Sequence, residues 1–173
     1  MKPQILRPFS EETFQKLKEH VSHVRRVYDA PGLPYHDCNE SEGKRFNRFY
    51  FHNLPMLVEL HHSPDLIQLA SNVFGQPLKP SYVFLSMYGP EGICPPHTDR
   101  PQCKFTIDLQ INSDGDWPIF IEEVPYLLKD GESLCYSGTD QRHYRNTMRD
   151  TKATKVDLAF FHWVPTNWMG RTE

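Results

Sequence analysis

The chain predicts a mainly β fold with helices gathered at its N-terminal end, and three observations carry that reading. Apolar residues recur at helical steps in the first third and change to strand-like alternation after Pro80. Turn signals then recur at Tyr88-Gly89-Pro90, Ser113-Asp114-Gly115-Asp116, Lys129-Asp130-Gly131 and Ser137-Gly138. The length of 173 residues suits one domain with its own core. Many short strands between regular turns indicate a sandwich or barrel, and helices ahead of them pack on one outer face. We expect residues 1–173 to form this single domain, with helical support over 1–79, the β core over 80–164 and a tail over 165–173.

The elements follow in order. Ser10 caps a helix whose first turn holds Glu11 and Glu12, acids suited to a helix N-terminus. Phe14, Leu17, Val21, Val24 and Val27 form its apolar stripe, and it ends before Pro31-Gly32. A second helical stretch follows Pro55 with Met56, Leu57 and Leu60. Ser63-Pro64-Asp65 then restarts the helix as cap, first-turn proline and first-turn acid. Leu66, Ile67, Leu69, Ala70, Val73 and Phe74 supply its buried side, and Gly75 stops it. Strands are expected over 82–88, over 104–111 with Phe105, Ile107, Leu109 and Ile111 on one face, and at 119–121, 127–128, 134–136 and 156–164.

Composition removes several function classes. Net charge is −3, so no general attraction to nucleic acid or anionic membrane follows. No window has the unbroken apolar length of a membrane helix, and residues 1–10 lack the apolar core of a secretion signal. The expectation is a cytoplasmic protein whose four cysteines, Cys38, Cys94, Cys103 and Cys135, are free thiols without zinc-like spacing.

The candidate chemistry centres on His97-Thr98-Asp99. The bare motif is weak, but it follows a strand and a Gly-Pro turn and precedes the best alternating strand. On a strand, residues i and i+2 share a side, so His97 and Asp99 would both aim into a barrel. His143, in Gln141-Arg142-His143-Tyr144-Arg145, can supply a second imidazole from another strand. Two His and one carboxylate on one face leave half of an octahedral sphere open, which suits iron(II) oxygen chemistry better than four-coordinate zinc.

The run from Tyr88 through Gly89, Pro90 and Cys94 to His97 and Asp99 resembles the start of the core in iron(II)/2-oxoglutarate dioxygenases, notably prolyl-hydroxylase-like members. Lys129-Asp130-Gly131-Glu132-Ser133-Leu134 is similar to the turn and strand before that family's distal His, here His143. Residues 155–164 resemble its last core strand, and the match spans roughly residues 80–164. The resemblance implies a double-stranded β-helix, a jelly-roll- and cupin-like core. It also implies iron(II) on His97, Asp99 and His143, with 2-oxoglutarate as cosubstrate and dioxygen as oxidant. Related halogenases lack the carboxylate, so Asp99 argues for hydroxylation or a related oxidation.

The far carboxylate of 2-oxoglutarate needs a charged donor. Lys155 stands where the family's last-strand base would be. Arg145 follows His143 by a two-residue strand step of about 6–7 Å, comparable to the length of 2-oxoglutarate, and offers a bidentate fork. Both stay open, and Tyr88 can add a hydroxyl donor. Lys104 and Arg149 are outside choices.

Other features read more simply. His61, His62 and Asp65 could share a helix face as a rival metal cluster, but Pro64 interrupts it. His36-Asp37 reads as surface, His162 as an outer-face histidine, and Trp117, Trp163 and Trp168 as core or rim aromatics. The basic-aromatic run 44–50 could stack single-stranded nucleic acid, form a rim against an anionic or peptide substrate, or be an amphipathic strand. The expected partner is a small-molecule or peptide substrate. A cupin-like metal protein without 2-oxoglutarate, a ligand-binding jelly roll and a jelly-roll interaction domain are the alternatives.

Overall fold

A computed structural model describes residues 1–29 and 46–172. His36, Asp37, Cys38, Lys44 and Arg45 lie outside the described residues. The described strands are β1 (Gln4–Leu6), β2 (Arg48–His52), β3 (Leu78–Tyr88), β4 (Cys94–His97), β5 (Phe105–Ser113), β6 (Ile119–Ile121), β7 (Val124–Tyr126), β8 (Ser133–Ser137), β9 (His143–Arg145) and β10 (Val156–Pro165). The helices are α1 (Glu11–Tyr28), α2 (Pro55–His61) and α3 (Pro64–Phe74).

Two antiparallel sheets form the core. The larger has the order β1-β8-β5-β10-β3-β2, and the smaller β4-β9-β6-β7. This is the mainly β, jelly-roll arrangement that the alternation and turns indicate. Two strands of the large sheet, β1 and β2, come from before residue 80. The run around residue 48 is thus an amphipathic edge strand. Residues 127–128 are not a strand; the short partner of β6 is Val124–Tyr126, formed across a turn at Glu122 and Glu123.

The helices cover the outer face of the large sheet. Ser10 accepts from Thr13 N at 3.2 Å and Ser63 from Leu66 N at 3.3 Å. Gly75 closes α3 in the left-handed region at φ 69°, where a side chain is disfavoured. Leu17, Val21, Leu57, Leu66 and Ala70 bury against Leu85, Ile107, Leu109, Phe161 and Trp163. Each large side chain so buried stabilises the fold by roughly 1.5–3 kcal/mol. The α1 stripe departs from expectation at its end. Val27 is exposed, and Arg25 turns inward to pair with Asp157 at 2.5 Å and donate to Tyr88 O at 2.9 Å.

Strand periodicity then assigns the inner face. On β5 the apolar residues face the helices, so Thr106, Asp108 and Gln110 point the other way. On β10, Phe161 and Trp163 face the helices, which turns Phe160 and His162 toward the space between the sheets. No helix among the described residues is long and apolar enough to cross a membrane.

Candidate metal centre and cavity

His97 ends β4 and stands opposite His143, the first residue of β9. Their ring centroids are 4.3 Å apart. Asp99 lies beyond the strand, so strand alternation is not what positions it. Its amide donates to Gly138 O at 2.8 Å, which pins the loop after β4 to the end of β8. Asp99 Oδ1 is 3.5 Å from Nε2 of His97 and 3.5 Å from Nε2 of His143. One ligand atom from each of the three residues lies within 4.8 Å of the others.

The other ring nitrogens are tied back. His97 Nδ1 donates to Pro95 O at 2.8 Å and His143 Nδ1 to Gln141 O at 2.9 Å. Each bond fixes ring orientation and turns Nε2 toward the shared point, the usual arrangement behind a ligating histidine. Burial disfavours charge on Asp99, but hydrogen bonds from His143 and His97 outweigh it and hold the carboxyl well below its ordinary range. Burial also opposes charge on His97, yet its hydrogen bonds to Asp99 and Cys94 raise its pKa to about 11. A cation bound here would have to displace the proton that His97 shares with Asp99. Metal affinity should rise about tenfold per pH unit between pH 6 and 8. Calorimetric titration of Mn(II) in buffers of different ionisation enthalpy would count the released proton; a pH-independent affinity contradicts the arrangement.

Gly138 has no room for a side chain. A Cβ there would meet Asp99 Oδ2 and the Cys103 carbonyl oxygen, with Thr106 Oγ1 at 3.0 Å. Gly138→Ala should lower stability by about 1–3 kcal/mol through overpacking. By displacing Asp99 it should weaken Mn(II) binding roughly 10–100-fold, as loss of a ligand's support does. Denaturant unfolding and metal titration check the two parts.

The triad lies on a cavity of about 690 Å³ between the sheets. Arg145 and Tyr88 line it too. Arg145 is 3% exposed and sits over the Trp117 ring at 5.0 Å. It donates to Trp117 O at 2.5 Å and to Asp108 Oδ2 at 3.1 Å. Asp108 is fully buried, its Oδ1 has no partner, and burial pushes its carboxyl up. Tyr88 is fully buried; burial raises its hydroxyl well above the ordinary value, so it keeps its proton. Arg48 Nη1 donates to the Tyr88 hydroxyl at 3.1 Å.

Lys155 is not brought to this site. It precedes β10, is absent from the cavity lining, and its Nζ pairs with Asp29 Oδ2 at 2.6 Å. The reason is register: Val156 and Leu158 take the inward positions at the start of the strand, packing with Tyr88 and Trp117. Lys104 and Arg149 do not line the cavity either; Arg149 pairs with Glu91 at 2.7 Å. His162 is an inner-face residue rather than an outer one. His61 is structural: Nε2 contacts His162 O at 2.9 Å, the ring packs on Trp163 at 4.5 Å, and burial lowers its pKa to about 3. Trp117 is a core residue whose Nε1 donates to Asn146 O at 2.7 Å. Cys94, Cys103 and Cys135 are free, and burial pushes Cys103 up to about 11 and Cys135 up to about 12.

Sequence reasoning missed Asp108 and His162 as cavity residues, and offered Arg48 only within the run 44–50, where a substrate rim was one of three readings. For Arg48 the signal was present. Phe46, Arg48, Tyr50 and His52 alternate with Phe49 and Phe51, and all four line the cavity.

No family model matches the chain, and no curated protein does. Solved structures share its fold. EctD from S. alaskensis with bound Fe superposes with a TM-score of 0.69 at 11% identity, covering 98% of this chain and 75% of that one. HygX from Streptomyces hygroscopicus with nickel and 2-oxoglutarate bound gives 0.66 at 11%, covering 96% and 83%. An oxidoreductase of the 2OG-Fe(II) oxygenase family from Burkholderia pseudomallei gives 0.66 at 12%, covering 99% and 88%. The chain has the fold of the 2-oxoglutarate/iron(II) oxygenases.

Proposed function

We propose that this protein is an iron(II)- and 2-oxoglutarate-dependent oxygenase that hydroxylates an unactivated C–H bond of a small molecule or peptide side chain. The observation that carries the reading is the convergence of His97, Asp99 and His143, with both imidazoles oriented by backbone carbonyls. Two nitrogen donors and one carboxylate on one face fit iron(II) with open positions. With 2-oxoglutarate and dioxygen, the metal would supply oxygen activation, releasing succinate and CO2 with the oxidised product. HygX has been solved with nickel, 2-oxoglutarate and hygromycin B together, which supports a small-molecule substrate for this cavity.

The chain's own residues divide the remaining work. His97, Asp99 and His143 hold the metal. Arg145 and Tyr88 offer donors for the far carboxylate of the cosubstrate, and Arg48 holds the Tyr88 hydroxyl in place. Arg145 stands opposite Cys94 in the strand pair that sets His143 opposite His97, about 6–7 Å along the strand from the metal ligands. The sheets exclude bulk water from the cavity floor, where a carboxylate-guanidinium contact is strongest. We also propose a cytoplasmic location, which the three free cysteines among the described residues suit.

One observation favours a second reading. Arg145 already has Asp108 as partner, and Lys155 has Asp29. A cupin-like metal protein that does not use 2-oxoglutarate would have no need of a freer cation. The test is succinate formation by the purified protein with Fe(II), ascorbate and 2-oxoglutarate. Succinate lost on chelation of the metal supports the oxygenase. Metal binding without any succinate, across a substrate panel, supports the second reading.

A further inference from the structure

One hydroxyl in the cavity has no use within the fold. Tyr82, Tyr88, Tyr136 and Tyr144 all line the space between the sheets. Three of them are engaged: Tyr82 pairs with Cys103 Sγ at 3.0 Å, Tyr88 accepts from Arg48 at 3.1 Å, and Tyr144 donates to Glu123 at 2.8 Å. The Tyr136 hydroxyl bonds to no protein atom among the described residues.

That hydroxyl is not sealed away either. Tyr136 is 1% exposed, yet its oxygen is not one of the buried orphan atoms, which include Asp108 Oδ1 and His162 Nε2. An unpaired hydroxyl outside that group keeps accessible surface, and the space Tyr136 borders is the cavity. Packing accounts for the ring and not for the oxygen. The ring sits among Ile119, Ile121, Leu128 and Leu134, where Phe would serve as well. A hydroxyl taken from water without a partner costs free energy.

Register sets its level. Tyr136 stands opposite Thr106 on β5, the residue that reaches Asp99 Oδ2 at 3.5 Å. Its ring meets the His143 ring at 4.8 Å. Asp108, the partner of Arg145, is two residues further along β5 and opposite Leu134. Tyr136 is therefore level with the metal ligands, and Arg145 lies one strand step beyond. A phenol keeps its proton at neutral pH, and burial raises this one well above its ordinary value, with the Asp99 and Asp108 carboxylates adding to the effect. It is a neutral donor with nothing to donate to until an anion enters.

We propose that Tyr136 is a cosubstrate-binding residue whose O–H donates to the end of 2-oxoglutarate that chelates the metal, the end opposite the one offered to Arg145. This rests on the oxygenase reading. A carboxylate that gives one lone pair to a metal keeps others for such a donor.

The test is Tyr136→Phe in the Mn(II)-loaded protein, with binding followed by water-proton relaxation. Two anions are titrated: 2-oxoglutarate, and oxalate, which offers the chelating end alone. The variant should bind both about tenfold more weakly, the loss of one hydrogen bond to a charged group. Mn(II) affinity should change less than about twofold, and the urea midpoint should not fall, because the hydroxyl supports nothing in the empty protein. Unaltered 2-oxoglutarate affinity overturns the proposal and leaves the oxygenase reading standing. So does a loss confined to 2-oxoglutarate, which would put the hydroxyl at the far carboxylate. A variant that unfolds or loses stability also overturns it, since the hydroxyl would then have a structural role. Failure of the oxygenase reading looks different: the unaltered protein, loaded with Mn(II), would bind no 2-oxoglutarate, and the assignment of Tyr136 would fall with it.

Discussion

Replacing Asp99 by Ala should weaken Mn(II) or Fe(II) binding on the order of 100-fold or more and remove succinate formation. Loss of outer support for a ligand alone costs 10–100-fold in metal affinity, and here the ligand itself is removed. Asp99 is also the one group that touches both other donors, at 3.5 Å each. Without it the two imidazoles face each other with no negative charge between them, so a divalent cation loses its only charge-neutralising ligand in the triad. Asp99→Asn keeps the shape and discards the charge, and should fall nearly as far. Asp99→Glu would push its longer side chain toward Gly138, which already lies so close to Asp99 Oδ2 that it has no room for a Cβ. Metal titration with a parallel succinate assay checks all three. An Asp99→Ala variant with unchanged metal affinity and turnover would remove the triad from the chemistry.

The legibility of this site differed from residue to residue for physical reasons. His143 and Arg145 share the inner side of β9 because strand period is two, and that much follows from spacing. His97 and Asp99 were paired by the same rule, yet β4 stops at His97. Asp99 is set by a long-range bond to Gly138, which no local pattern contains. The face of β10 was assigned inversely. Phe161 and Trp163 are the larger apolar residues and do bury, but against the helices, so the polar alternate His162 turns to the inside. In a sheet with helices on one face and a cavity on the other, both faces are sheltered, and hydrophobicity alone does not say which is which. Lys155 fails for a related reason. A base at the start of a last strand reaches the interior only on the inward alternate, and here that alternate is Val156.

Arg145→Met should destabilise the protein by about 3–5 kcal/mol, because it removes one half of a buried pair and leaves Asp108 with no partner for either oxygen. The pH dependence gives the sign. Burial already raises the Asp108 carboxyl, and without the guanidinium it rises further. A carboxyl whose folded pKa exceeds its unfolded value destabilises the fold above the unfolded value, about 3.9, and the penalty disappears as pH falls to it. The cost of Arg145→Met should therefore be smaller at pH 5.5 than at pH 7.5 in denaturant unfolding, compared with the unaltered protein at each pH. Adding Asp108→Asn should recover most of the lost stability, since the uncompensated charge is gone. It should not recover the cosubstrate. If Arg145 receives the far carboxylate of 2-oxoglutarate, the double variant folds, binds Mn(II) at near-native affinity and shows at least a tenfold higher KM for 2-oxoglutarate. Arg145→Lys distinguishes fork from charge: it keeps one positive centre but cannot serve Trp117 O, Asp108 and a ligand carboxylate in one plane. A stable double variant with an unaltered KM would leave Arg145 as a structural partner of Asp108 and move the search for the anchor to Arg48, the cavity-lining guanidinium bonded to the Tyr88 hydroxyl.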